Sequence, residues 1–337
     1  MSMNHVRLGG SGLKVSRACL GTMNFGTGPG VGGCEEAEAI RVIDAFLDAG
    51  NNFIDTADIY HGGESERIVG KVLRGRRDSV VVATKAFGPQ GPGPNDRGLS
   101  RAHLTRALEA SLRRLGTDYV DLYQCHQWDP QTPIEETMAT LDGFVRSGKV
   151  RYLGCSNFTA PQIVEAQWAA ERVGGTRMVS LQPQYSLLAR LIEAEILPAC
   201  ERHGLGVVTY APLGGGVLAG RYRRGVAPGA DSRMSSLLAM SSPAADRWAG
   251  EMLSERSHGI ADEVAKVAAE LGVTPVEVAI AWVAARPGVT SVVIGPRDLG
   301  QYERNAAGFA LDLPAESADR LEEVSRPAHR PVTGASF

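Results

Sequence analysis

Short apolar β-type runs alternate with amphipathic helical stretches along nearly the whole chain, and this alternation restricts the fold more than any other feature. Eight candidate strands stand in series: Ala18–Gly21, Asn52–Asp55, Ser79–Thr84, Tyr119–Cys125, Val150–Gly154, Met178–Gln182, Gly206–Tyr210 and Ser291–Ile294. Helical patterning lies between and after them, at Glu35–Ala49, Glu64–Leu73, Ser100–Leu115, Pro133–Ser147, Pro161–Arg172, Ile192–His203, Gly259–Arg286 and Leu299–Ala307. The stretch from Ser100 is the best marked. Ser100 suits the N-cap, Leu104, Ala107, Leu108, Ser111, Leu112 and Leu115 form one stripe, and Gly116 suits the stop. Val80–Ala83 is apolar on both faces, as expected of a strand covered by helices.

Such a series closes into a barrel or winds into an open nucleotide-binding sheet. The open sheet normally carries a glycine fingerprint at its first strand–helix turn, but that turn here reads Gly21-Thr22-Met23-Asn24-Phe25-Gly26. The expected fold is therefore a single (β/α)8 barrel, the TIM-barrel architecture, with residues 1–337 as one domain. Val6–Val15, with glycines at its centre, reads as a β-hairpin preceding the barrel. Gly88–Gly98 and Arg221–Ser242 read as long loops on the C-terminal face, where binding segments gather.

The formal net charge of −3 gives no footprint for nucleic acid or an anionic membrane. The five cysteines, Cys19, Cys34, Cys125, Cys155 and Cys200, are scattered and never spaced as a zinc ligand pair, which fits reduced thiols in the cytoplasm. Met1–Asn4 runs straight into a turn-rich stretch, so no signal peptide is expected, and no apolar run reaches the roughly 18 residues of a membrane span.

Polar residues collect where the strands end. Asp55 closes the second, Lys85 follows the third, His126 the fourth and Ser156-Asn157 the fifth. Gln182 ends the sixth, Tyr210 the seventh, and Gly295-Pro296-Arg297 follows the eighth. In a barrel those ends converge on one cavity.

Asp55-Thr56-Ala57-Asp58-Ile59-Tyr60, Thr84-Lys85 and Cys125-His126 resemble the Asp/Tyr/Lys/His tetrad of the aldo-keto reductases. Gly148–Phe158, Gln182–Leu188, Tyr210–Gly216 and Ile294–Arg297 resemble that family's cofactor-side motifs, in the expected order from about Val6 to about Ala307. The resemblance implies NADP(H)-dependent reduction of a small aldehyde or ketone, with Tyr60 as the proton donor. A phenol with a pKa of roughly 10 needs help at neutral pH, and an adjacent Lys85 ammonium, held by Asp55, is expected to lower it. His126 is expected to polarise the substrate oxygen. Taken singly, each residue has an ordinary explanation: a packing tyrosine, a solvated lysine, a structural histidine, an aspartate capping a turn.

The resemblance further implies that Ser156, Asn157 and Gln182 bind the nicotinamide carboxamide and that Tyr210 stacks on its ring. Leu213, Gly214 and Gly216 are expected to approach the pyrophosphate, or else form a plain loop. Arg297 is expected at the adenosine 2′-phosphate, with Gln301 and Asn305 nearby, or else as a solvated charge. Cys125 and Cys155 should point away from the cavity by strand alternation. His61 should line the mouth, while Phe25, Phe87 and Trp128 serve either as an apolar wall or as core. Two further readings stay open, a regulatory subunit similar to potassium-channel β-subunits and a keto-sugar reductase of a deoxysugar pathway.

Overall fold

The computed structural model describes residues 5–28 and 32–327. Each of the eight strand patterns becomes one stave of a closed parallel barrel. In chain order the elements are β1 (His5–Arg7), β2 (Lys14–Ser16), β3 (Ala18–Gly21), α1 (Glu36–Asp48), β4 (Phe53–Asp55), α2 (Glu64–Leu73), β5 (Val81–Ala86), α3 (Arg101–Leu115), β6 (Val120–Cys125) and α4 (Ile134–Arg146). There follow β7 (Val150–Ser156), α5 (Ala160–Arg172), β8 (Met178–Gln182), α6 (Ile196–His203), β9 (Gly206–Thr209), α7 (Arg233–Leu238), α8 (Pro243–Met252), α9 (Glu255–Leu271), α10 (Pro275–Ala284), β10 (Val289–Ile294), α11 (Leu299–Gly308) and α12 (Ala315–Ser325). Strands β3 to β10 pair in sequence order, and β10 closes on β3 with Val292 opposite Ala18.

The hairpin β1–β2 pairs Val6 with Val15 and brings Leu8 and Val15 into the lumen cluster with Cys19, Phe53, Val81, Ala83, Leu122, Val208 and Val293. These strand-start residues and the hairpin close the barrel's N-terminal end with apolar side chains, leaving the other end for polar chemistry. The larger apolar layer lies between barrel and helices, where Phe46, Ile54, Val82, Leu108, Leu141 and Leu153 are fully or almost fully buried. Each such side chain contributes about 1.5–3 kcal/mol of burial free energy. Cys125 and Cys155 belong to this layer, pointing away from the lumen as alternation demands.

Local signals read from the sequence act as expected at α3. Ser100 accepts from His103 N, and Gly116 takes the left-handed conformation (φ 63°) that ends the helix. Two helical expectations and one loop expectation need correction. The stretch Gly259–Arg286 is two helices, α9 and α10, bent by 102°. Gly272 stops the first, and Thr274 with Glu277 forms a capping box that starts the second, with Pro275 at its first turn. Ile192–His203 divides into a 3-10 turn (Leu191–Glu193) and α6. The segment Arg221–Ser242, read as an unstructured loop, contains α7 and leads into α8, while α12 lies beyond the last expected helix. The last helix ends at Ser325, and residues 328–337 lie outside the described residues. No single helix among the described residues is long and apolar enough to cross a membrane.

Candidate active site

At the C-terminal end of the barrel, β4 delivers Asp55 and β5 delivers Lys85, side by side because Asp55 pairs with Ala83 in register. Lys85 Nζ lies 2.6 Å from Asp55 Oδ2 and 2.9 Å from Thr56 O, and donates to Tyr60 OH at 3.3 Å. Its side chain is fully buried, so all three ammonium protons are directed by protein acceptors. Asp55 Oδ1 accepts from Gln124 Nε2 (3.1 Å) and Gln182 Nε2 (2.9 Å). Asp55, Tyr60 and Lys85 thus form one contiguous network. His126 stands across from them, its ring edge-on to Tyr60 with centroids 6.0 Å apart.

Burial opposes the Lys85 charge, but Asp55 and Tyr60 hold its pKa above the ordinary lysine value. For Tyr60 the balance goes the other way from the sequence expectation. Burial raises the phenol above its ordinary value, and the pull of Lys85 offsets only part of that rise. Tyr60 is therefore a protonated phenol at neutral pH. Burial, with Lys85 adding, pushes His126 down to about 3, which leaves a neutral imidazole with an N–H to donate.

The residues expected at the cofactor form a second connected set. Ser156 Oγ donates to Gln182 O (2.7 Å), and Asn157 Nδ2 bonds His126 O (3.1 Å) and Ser156 Oγ (3.0 Å). Tyr210 OH donates to Asn157 Oδ1 at 2.9 Å. Asn157 (φ 59°) and Ala211 (φ 56°) have left-handed backbones, a strain that clusters at binding sites. Gly214–Gly216 forms a 3-10 turn with three positive φ values. A Cβ on Gly214 would lie 2.5 Å from Leu188 and one on Gly215 2.8 Å from Met234, so only glycine makes this turn. Leu213 is half-buried beside it. Arg297 donates to Asp231 O (3.2 Å), its own N–H bonds Gln301 Oε1 (3.2 Å), and Asn305 is buried one turn further along α11.

Three residues that sequence reasoning passed over also belong here. Gln124 supports Asp55 from β6. Asn24 donates to Gly295 O (2.6 Å) and accepts from Arg233 Nη2 (2.8 Å). Arg233, at the start of α7, acts electrostatically on Tyr60, which brings the long segment after β9 to the same site. His61 needs correction: it is 3% exposed, with both ring nitrogens engaged, and does not line the mouth. Phe25 is fully buried core, whereas Trp128 is half-buried and packs edge-on against Phe158. No group of three or more potential metal ligands occurs among the described residues.

Residues 17–326 match the Aldo/keto reductase family. The chain belongs to that family. Among relatives of this aldo/keto reductase is the uncharacterized oxidoreductase YrpG of Bacillus subtilis (strain 168), 40% identical over 333 residues that cover 96% of each chain. A probable voltage-gated potassium channel subunit beta of Arabidopsis thaliana is 39% identical, again over 96% of each. Versiconal hemiacetal acetate reductase of Aspergillus parasiticus is 34% identical over 96% of this chain and 98% of its own. The family assignment makes the protein an oxidoreductase of a group that acts on small carbonyl compounds and generally uses nicotinamide cofactors.

Proposed function

We propose that this aldo/keto reductase uses NADPH to reduce an aldehyde or ketone to an alcohol, with Tyr60 as the general acid. The observation that carries the reading is Lys85 Nζ set between Asp55 Oδ2 and Tyr60 OH at the barrel's C-terminal end. The donor set fits the cofactor. Ser156, Asn157 and Gln182 offer amide and hydroxyl groups, Tyr210 offers a ring face, the glycine turn beside Leu213 offers backbone, and Arg297 and Arg233 offer guanidinium groups. Because Gln182 Nε2 is committed to Asp55, its carbonyl oxygen is the atom left to accept from a carboxamide.

When bound, NADPH supplies the hydride that forms the new C–H bond at the carbonyl carbon. The C=O π pair moves to oxygen, and Tyr60 forms the O–H bond by giving up its phenolic proton. Lys85 stabilises the phenolate left behind, and Asp55 keeps the ammonium aimed at it. Neutral His126 donates to the substrate oxygen as charge develops there. Solvent returns the proton to Tyr60. The five free thiols support a reducing, cytoplasmic setting.

The test follows NADPH absorbance with aromatic and aliphatic aldehydes, dicarbonyls and keto sugars, with NADH in parallel. Turnover on one class with a preference for NADPH, reduced in Arg297→Ala, is expected. A second reading, a cofactor-binding regulatory subunit, is favoured by the similarity to the plant potassium channel β-subunits. Tight NADPH binding, no turnover on any class and co-purification of a membrane partner would select it.

A further inference from the structure

His61 directly follows Tyr60, yet the reaction above gives it no task. Its backbone is left-handed (φ 47°, ψ 41°), a conformation rare for a residue with a Cβ and kept only where the surroundings enforce it. The surroundings here are two carbonyls. Nδ1 lies 2.8 Å from Gly28 O, and Nε2 lies 3.0 Å from Met23 O. Carbonyl oxygens only accept, so each contact needs a proton on the ring nitrogen, and only the imidazolium carries both. A neutral ring would set a nitrogen lone pair against a carbonyl oxygen in a site that is 3% exposed.

Glu64 grips the same loop in the complementary sense. Its Oε2 accepts from Thr27 N (3.0 Å) and Gly28 N (2.9 Å). A cation thus holds the loop's carbonyls and an anion holds its N–H groups. Tyr60 and Glu64 flank His61 on its own turn, and Cys34, whose thiol burial with Glu38 pushes up to about 11, follows Gly33 on the facing loop.

The gripped loop leads to the cofactor side. Asn24 follows Met23 and bridges Gly295 O to Arg233. We infer that His61, protonated on both ring nitrogens and gripping the same loop as Glu64, is a positioning residue that fastens residues 23–28 to the Tyr60 turn and, through Asn24, sets Arg233 near Tyr60. The link to NADPH rests on the function proposed above; the clamp itself does not.

The experiment uses the full chain labelled with 15N-histidine. Two ring N–H signals of His61 protected from solvent exchange are expected, both absent in His61→Asn, a side chain that tolerates the left-handed backbone. NADPH affinity, read by fluorescence, is expected to be about tenfold weaker in His61→Asn than in the wild type, the worth of one charge-assisted hydrogen bond. A single protected ring N–H in the wild type, or wild-type affinity in the variant, overturns the clamp. If NADPH does not bind at all, the cofactor reading fails, while the ring signals still decide the clamp.

Discussion

Gln182 and Gln124 both donate to one oxygen of Asp55, across 2.9 and 3.1 Å, leaving the other oxygen to Lys85. A residue expected only at the cofactor is thereby joined to the acid–base network. Gln182 is also the one proposed to meet the cofactor's carboxamide. Gln124→Met should therefore lower kcat by about tenfold, one hydrogen bond to a charged group, with the KM for NADPH unchanged. Gln182→Met should change both constants. Steady-state kinetics on the two variants checks this, and a Gln124→Met protein changed only in KM would contradict it.

Lys85 and Asp55 form a fully buried pair, with side chains 0% and 3% exposed. Removing one partner leaves an uncompensated buried charge, at a cost of about 3–5 kcal/mol. Lys85→Met should lose that much stability in urea denaturation, and adding Asp55→Asn should recover most of it. Activity should stay absent in both, because the ammonium beside Tyr60 is gone.

Two buried groups give stability opposite slopes with pH. His126, pushed down to about 3, binds fewer protons folded than unfolded between there and its ordinary value of 6.5. Its contribution is complete above that range and lost as pH falls toward about 3. Asp58 has no partner on either carboxylate oxygen, and burial, with Glu66 adding, pushes it up to about 8. It holds a proton when folded, so stability declines as pH rises from the carboxylate range to about 8. Melting temperature against pH should lose the decline between about pH 4 and 8 in Asp58→Asn and the acid decline below about 6.5 in His126→Gln.

Gly154 on β7 lies between Gln124 and Ser180. A Cβ there would stand 2.4 Å from Ser180 Oγ and 3.2 Å from Gln124 Cγ. Gly154→Ala should cost about 1–3 kcal/mol of stability by overpacking and displace Gln124 from Asp55, lowering kcat as well.

The barrel was legible because strands buried on both faces leave unbroken apolar runs, as Val80–Ala83 does at the start of β5. Asp55, Lys85 and His126 were legible because strand ends in a barrel all face one cavity. The α9–α10 break carried its signals in Gly272, Thr274, Pro275 and Glu277, but continuous apolar patterning masked them. α7 was hidden because a six-residue helix has too few turns to show a stripe. Arg233 and Asn24 could not be assigned from spacing, since the contact between them joins residues 209 positions apart. The sign of the Tyr60 shift depended on burial, which pairing logic alone omits.

The most direct measurement is single-turnover reduction by the NADPH complexes of the wild type and Tyr60→Phe on a carbonyl the wild type accepts. Tyr60→Phe should bind NADPH as the wild type does and reduce the substrate about 10²–10⁴-fold more slowly, the range for a lost general acid. Reduction at the wild-type rate would contradict the assignment of Tyr60 as the proton donor.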